Sequence, residues 1–203
     1  MTLLREDIIA LKKRAKDENF EYIYFWKCTK GPDGELGPGC LSQWWPSPFK
    51  IGEQVYPTAE HFMMYSKATL FEDEEIARQI LETESPKEVK ALGRKVENFD
   101  SQLWMEHRFA IVLRANLAKF SQNEDLKKYI FTTGNAILVE ASPTDKIWGI
   151  GLDEEAARQV SPQDWDGLNL LGFALMRTRS LLESGLEYVS EFINLGPPRP
   201  THG

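Results

Sequence analysis

Along the chain, apolar positions switch between helical and strand spacing, and that pattern predicts a single helix-rich α+β domain with a few short strands. Leu4, Ile8, Leu11 and Ala15 recur at helical spacing with Lys and Arg opposite. They predict an amphipathic helix over Leu4–Lys16, laid on the domain or facing a partner. The run EYIYFWK at 21–27 is β-branched and aromatic and reads as a strand. Phe49–Ile51 and Gln54–Tyr56 flank Gly52-Glu53 as a short hairpin. Thr58 is placed to cap a helix running to about Phe71. Ser85-Pro86-Lys87-Glu88 is a capping box with Pro at the first helical position, and it opens a second helix. Asp100 caps a longer third over Ser101–Phe120, and a fourth over Glu124–Phe131 stops at Gly134. A buried strand at Ile137–Glu140, a loop, a short helix from Asp153 and a polar spacer through Pro162 and Asp166 follow. A strong last helix spans Leu168–Leu182. The Gly- and Pro-dense stretch Gly31–Gly39 reads as an exposed loop, and the PPRPTHG tail as disordered. No internal repeat occurs. The expected division is an N-terminal helical extension (1–19), one domain (20–185) and a C-terminal segment (186–203).

Composition narrows the function classes. The chain has 203 residues, the length of one domain or at most two small ones, and 11% aromatic residues give it core without staples. Its net charge of −7 provides no general pull toward polyanions, so tight non-specific binding to nucleic acid is not expected, while a local anion site remains open. Cys28 and Cys40 are too few for a disulfide framework and lack metal or redox spacing. The N-terminal stretch lacks the apolar core and cleavage site of a secretory signal, and no run reaches a membrane span. The expectation is a cytoplasmic protein, with the nucleus also open, and no obligate protein partner.

The richest chemistry lies in the helix carrying Glu60 and Lys67. Seven residues turn the second side chain to within about 20° of the first, roughly 10 Å along the axis. An acid and a base thus share one face with Met63 and Met64 between them, a grip suited to a ring-shaped substrate, although a solvated face carrying one acid and one base has the same spacing. The preceding loop holds Trp44, Trp45 and Phe49. The loop SPTDKIWGIG sets Asp145 near Trp148, with glycines that permit close backbone approach. Asn169 opens the last helix, whose free N–H groups and dipole suit an anion. Arg177 and Arg179 are candidates for phosphate pairing, or simply exposed arginines. Trp104 and Arg108 share a helix face, the pattern of core plus a snorkelling arginine, and Arg94 closes the capping-box helix. His61 reads as structural or as a residue supporting the site from behind, and His107 and His202 lack partners at metal spacing. No Walker loop, HExxH or GxSxG occurs, so neither metal nor cofactor is expected.

The segments LSQWWPSPFKIGEQVYPTAEHFMMYSKATLF, ALGRKV, Trp104, LVEASPTDKIWGIGL and GLNLLGFALMRTR, in this order, resemble the YbiA/NADAR family over roughly Tyr24–Leu182. The resemblance implies a YbiA-like fold and an N-glycosidase acting on ribose that carries a phosphate or diphosphate. Two activities are implied: removal of ADP-ribose from modified guanine, in DNA, RNA or free nucleotide, and cleavage of ribosylamino-pyrimidine intermediates of riboflavin synthesis. Lys67, Glu60 and Asp145 match the family's catalytic positions. Ser42, Trp45, Arg94, Trp104, Trp148, Gly149, Gly151 and Asn169 are the expected substrate-binding positions. A lysine enclosed by Met and Trp has its pKa lowered and can attack the anomeric carbon, with Glu60 or Asp145 moving protons. The rival route keeps Lys67 as an electrostatic clamp while a carboxylate activates water. Backbone N–H groups at Gly149–Gly151 and the Asn169 helix start are expected to hold the diphosphate. A non-catalytic ADP-ribose reader and a protein-interaction module are the competing classes.

Overall fold

The computed structural model describes residues 2–185 and 188–195. In chain order the elements are α1 (Thr2–Arg14), β1 (Tyr22–Phe25), a 3-10 turn (Pro38–Leu41), β2 (Phe49–Ile51), β3 (Gln54–Tyr56), α2 (Ala59–Leu70) and α3 (Glu74–Glu82). Then come α4 (Pro86–Gly93), α5 (Ser101–Gln122), α6 (Glu124–Thr132), β4 (Ile137–Glu140), α7 (Glu154–Ala157), a 3-10 turn (Pro162–Asp164), α8 (Leu170–Glu183) and α9 (Tyr188–Ile193). The helix-rich α+β architecture is the one expected. Two compact units divide the chain: Met1–Ser42 with Lys128–Glu183, and Gln43–Lys127 with Ser184–Gly203. The PPRPTHG tail and His202 lie outside the described residues.

In the first unit β1 pairs in parallel with β4, from Tyr22 opposite Ile137 to Phe25 opposite Glu140. Helix α8 packs on β4, and Gly172 is the reason it can: a Cβ there would overlap the Leu138 carbonyl and the Asn169 amide. Helix α1 is laid on this unit. Its Ile8 and Leu11 are buried in one cluster with Tyr24, Val139, Ile150 and Trp165. Lys12 Nζ donates to the Trp165 carbonyl at 2.8 Å, and Gln163 Nε2 returns a bond to the Lys12 carbonyl at 2.7 Å. The spacer expected to be polar therefore contributes core, because Ala157 and Trp165 turn inward between its charged residues. The Gly31–Gly39 loop is exposed over 32–35 as expected and packs inward at Gly37 and Gly39. Gly39 is buried, and a Cβ there would overlap the backbone of Thr29.

In the second unit the β2–β3 hairpin has the expected register, Phe49 opposite Tyr56 and Ile51 opposite Gln54. Its aromatic face continues into α2 through Tyr56 and Phe62, 5.0 Å apart edge to face. Helix α2 packs against α3, α4 and α5. Sequence reading left α3 out, although Asp73 caps it by accepting from the Ile76 N–H at 3.0 Å. Its Ala77 and Ile80 are buried beneath an acidic outer face. The capping box of α4 forms through an unexpected intermediary. Ser85 Oγ accepts from Glu88 N–H, but the Glu88 carboxylate takes the Thr83 hydroxyl at 2.5 Å, and Thr83 Oγ1 accepts from Ser85 N–H. Arg114 of α5 donates to the Ile193 carbonyl at 2.6 Å, which joins α9 to α5. Helix α9 follows from no pattern noted in the sequence.

Candidate active site

The candidate residues fall in both units, and each set has its own geometry. In the second unit the first turn of α2 is secured by two acceptors. Thr58 Oγ1 takes the His61 N–H at 3.4 Å, and the Gln43 carbonyl takes the Glu60 N–H at 3.0 Å. His61 is fully buried and structural. Its Nε2 meets the Thr83 carbonyl at 2.9 Å and its Nδ1 the Thr58 hydroxyl at 2.8 Å. A carbonyl only accepts, so the proton sits on Nε2 and Nδ1 accepts from Thr58. Burial holds the imidazole pKa below its usual value, partly opposed by the Thr83 bond.

Glu60 is 6% exposed, and Met63 and Met64 are buried on the same helix. Lys67 is half-buried, two turns on. Its Nζ donates to the Gly93 carbonyl at 2.7 Å and lies 4.3 Å from the centre of the Phe99 ring and 5.8 Å from that of Trp104. Desolvation lowers its pKa from the ordinary lysine value. The expected environment of a lysine among apolar side chains is thus present, but two of its partners escaped the sequence reading. Gly93 supplies a backbone oxygen at the end of α4, where a Cβ would overlap Met64 Sδ. Phe99 precedes the Asp100 cap, and with Trp104 it occupies the two positions of a hydrophobic staple, a signal that could have found it. Asp73 helps hold the segment, its Oδ2 accepting from Glu97 N–H at 3.0 Å. Trp45 is buried, with its carbonyl accepting from Ser47 Oγ, and Arg94 is exposed just after α4.

In the first unit, Ser42 is buried after the 3-10 turn, its N–H donating to the Gly39 carbonyl at 3.1 Å. Asp145 Oδ1 accepts from the N–H groups of both Ile147 and Trp148, each at 2.8 Å, which folds the loop into a tight turn. Most of the N–H groups expected to hold a diphosphate donate within the chain. The N–H groups of Gly167, Leu168, Asn169, Leu170 and Leu171 donate to the carbonyls of Ile150, Lys146, Gly149, Ile147 and Trp148 respectively. Ile150 N–H is taken by the Glu140 carbonyl and Gly151 N–H by that of Asp145. Of the amides expected to meet an anion, those of Ile150, Gly151, Asn169, Leu170 and Leu171 are thus engaged by the chain itself.

Asn169 is likewise engaged within the chain. It is fully buried at φ 52°, with Oδ1 accepting from Glu140 N–H at 3.0 Å and Nδ2 donating to the Leu138 carbonyl at 2.9 Å. These two bonds brace β4. Gly149 permits close packing, since a Cβ would lie 2.8 Å from the Glu140 carbonyl. Gly151 serves a left-handed turn at φ 74°. Arg179 is also internal, donating to Thr133 Oγ1 at 2.7 Å and to the Ala136 carbonyl, whereas Arg177 is exposed. A cavity of about 650 Å³ in this unit runs beside Tyr22, Tyr24, Trp26 and Arg158, and none of the candidate site residues lines it. Among the described residues, no group of three His, Cys, Asp or Glu could hold a metal, and no helix is long and apolar enough to cross a membrane.

Comparison with known proteins gives concordant results. Residues 24–183 match the family model described as the NADAR domain. The chain is 43% identical to the N-glycosidase R617 of Acanthamoeba polyphaga mimivirus over 167 residues, 80% of this chain and 96% of that protein. It is 31% identical to the chloroplastic riboflavin biosynthesis protein PYRR of Zea mays, over 62% of this chain and 20% of that one. Its fold is similar to the solution structure of YbiA from E. coli, with a TM-score of 0.65, 25% identity and coverage of 83% and 88%.

Proposed function

The chain belongs to the NADAR domain family, and from that premise we propose that it is an N-glycosidase that removes ADP-ribose from ADP-ribosylated guanine. The observation that carries the reading is the setting of Lys67, an amine half-buried beside two aromatic rings, its pKa lowered, two helical turns from a buried carboxylate. An ammonium has no lone pair, and desolvation favours the neutral amine that does. Lys67 Nζ attacks the anomeric carbon as the bond to the guanine nitrogen breaks, and Glu60 gives its proton to that nitrogen. The glycosyl-lysine opens to an imine. Water adds to the imine carbon, its proton passing to the Glu60 carboxylate, and the amine leaves as ADP-ribose is released. Trp104 offers a ring beside the amine for stacking.

One similarity favours a second substrate. The maize relative is named for riboflavin biosynthesis, so phosphorylated ribosylamino-pyrimidines are the alternative for the same site. The test is product release from an oligonucleotide carrying ADP-ribosylated guanine and, in parallel, from a ribosylamino-pyrimidine phosphate, each with borohydride added. Free ADP-ribose and a reduced adduct on Lys67 are expected from the first. Turnover of the pyrimidine alone reassigns the substrate. Turnover without adduct replaces the imine by direct attack of water. Binding of ADP-ribose with no turnover of either makes the domain a reader.

A further inference from the structure

A pair of buried amides that no catalytic step uses stands behind the α2 helix. Gln43 is 7% exposed and Asn116, on α5, is fully buried. Asn116 Nδ2 donates to Gln43 Oε1 at 3.1 Å and to the Val112 carbonyl of its own helix at 2.9 Å. From there Gln43 reaches α2 twice. Its carbonyl accepts from the Glu60 N–H at 3.0 Å, and its Nε2 lies 3.7 Å from Met63 Sδ.

The pairing is not what stability alone would select. Among the described residues, Asn116 Oδ1 is buried without a hydrogen-bond partner. A thioether sulfur is a weak acceptor for the Gln43 amide. Leucine at 116 and methionine at 43 would fill similar volumes with no polar group to desolvate. What the amides provide is direction. The Asn116 side chain is fixed to its own helix by the Val112 bond, and it fixes the orientation of Gln43 in turn. The Gln43 carbonyl then sets where the second residue of α2 begins, and that residue is Glu60.

We propose that Gln43 and Asn116 are positioning residues that set the Glu60 carboxylate and the Met63 floor relative to Lys67. This rests on the N-glycosidase reading above. A proton donor displaced by a fraction of an ångström slows bond cleavage while leaving substrate affinity alone, because Gln43 and Asn116 are buried and act through α2 rather than on the substrate.

The test uses the full chain with Asn116→Leu, Gln43→Met and the double variant. For each, kcat and KM on ADP-ribosylated guanine and on the ribosylamino-pyrimidine phosphate are measured beside the melting temperature. Each single variant is expected to lower kcat about 10- to 100-fold with KM unchanged. The double variant should fall no further than the worse single, as two parts of one device do. Melting temperatures should hold or rise. Unchanged kcat in folded variants overturns the proposal while the wild-type activity still stands. A multiplicative loss in the double variant, or a kcat loss that follows the unfolded fraction, overturns it equally. A wild-type protein that turns over neither substrate removes the N-glycosidase reading, and this inference with it.

Discussion

The α2 helix and the Asp145–Gly151 loop both carry dense sequence motifs, yet they treat their polar groups in opposite ways. In the loop, five successive carbonyls from Lys146 to Ile150 are taken by five successive N–H groups from Gly167 to Leu171, and Asn169 closes both ends of its amide on β4. Most of the polar backbone of that zipper is thus spent on folding the chain. On α2 the arrangement is looser where it matters. Lys67 has one carbonyl and two rings around a half-buried amine, in a setting that discourages its own charge. The lesson is that a motif can be rich because it reacts or because it folds. Residue types alone do not separate the two, whereas the fate of each donor and acceptor does.

Substitutions can set the two regions against each other. The largest effect is expected at Lys67→Met, which keeps the apolar stem and removes the amine. Turnover should fall about 10³-fold or more while the melting temperature holds or rises, since a desolvated charge is gone. Steady-state kinetics and calorimetry on the same preparation check both halves. Next is Gly172→Ala, whose Cβ would overlap the Leu138 carbonyl. It should cost about 3 kcal/mol or more in denaturant unfolding, with the specific activity of the surviving folded protein unchanged. Asn169→Leu removes the bonds to the Glu140 N–H and to the buried Leu138 carbonyl and places a γ-branched residue at positive φ, for about 2–3 kcal/mol. Retained kcat in Asn169→Leu would mark the zipper as scaffold, and a selective rise in KM without loss of stability would return Asn169 to the substrate.

The smallest effects are in pH dependence. The Lys67 pKa is lowered, so kcat/KM should rise with pH along a limb whose midpoint lies below the usual lysine value of 10.5. His61 also has a lowered pKa, so the unfolded chain binds the extra proton first as pH drops. Its contribution to stability is complete above about 6.5 and declines as pH falls below that value toward the folded pKa. His61→Gln, which keeps a donor toward the Thr83 carbonyl, should flatten that decline in unfolding curves between pH 7 and 5.

Local chemistry was the legible part of this fold. The hairpin at 49–56, the Thr58 cap, the Asp100 cap and the Ile137–Glu140 strand could be read because each is specified within a few residues. The parallel pairing of β1 with β4 joins residues more than a hundred positions apart, and no local signal specifies it. Helix α3 was obscured by its acidic face, although Asp73 and the Ala77–Ile80 spacing were present. Within the site, Glu60 and Lys67 could be paired from a seven-residue interval on one helix. Gly93 and Gln43 could not, because each contributes a main-chain oxygen, and a carbonyl looks the same in every residue.

That same Gly93 oxygen limits how Lys67 can be activated. A carbonyl steers an amine but has no basicity to relieve it of a proton, and the two rings have none either. When the ammonium discharges, its proton must therefore pass to water or to a carboxylate. On the proposed mechanism, the half-exposed side of Lys67 serves as the proton's exit as well as the substrate's entrance, and whatever fills it first decides whether the amine is armed.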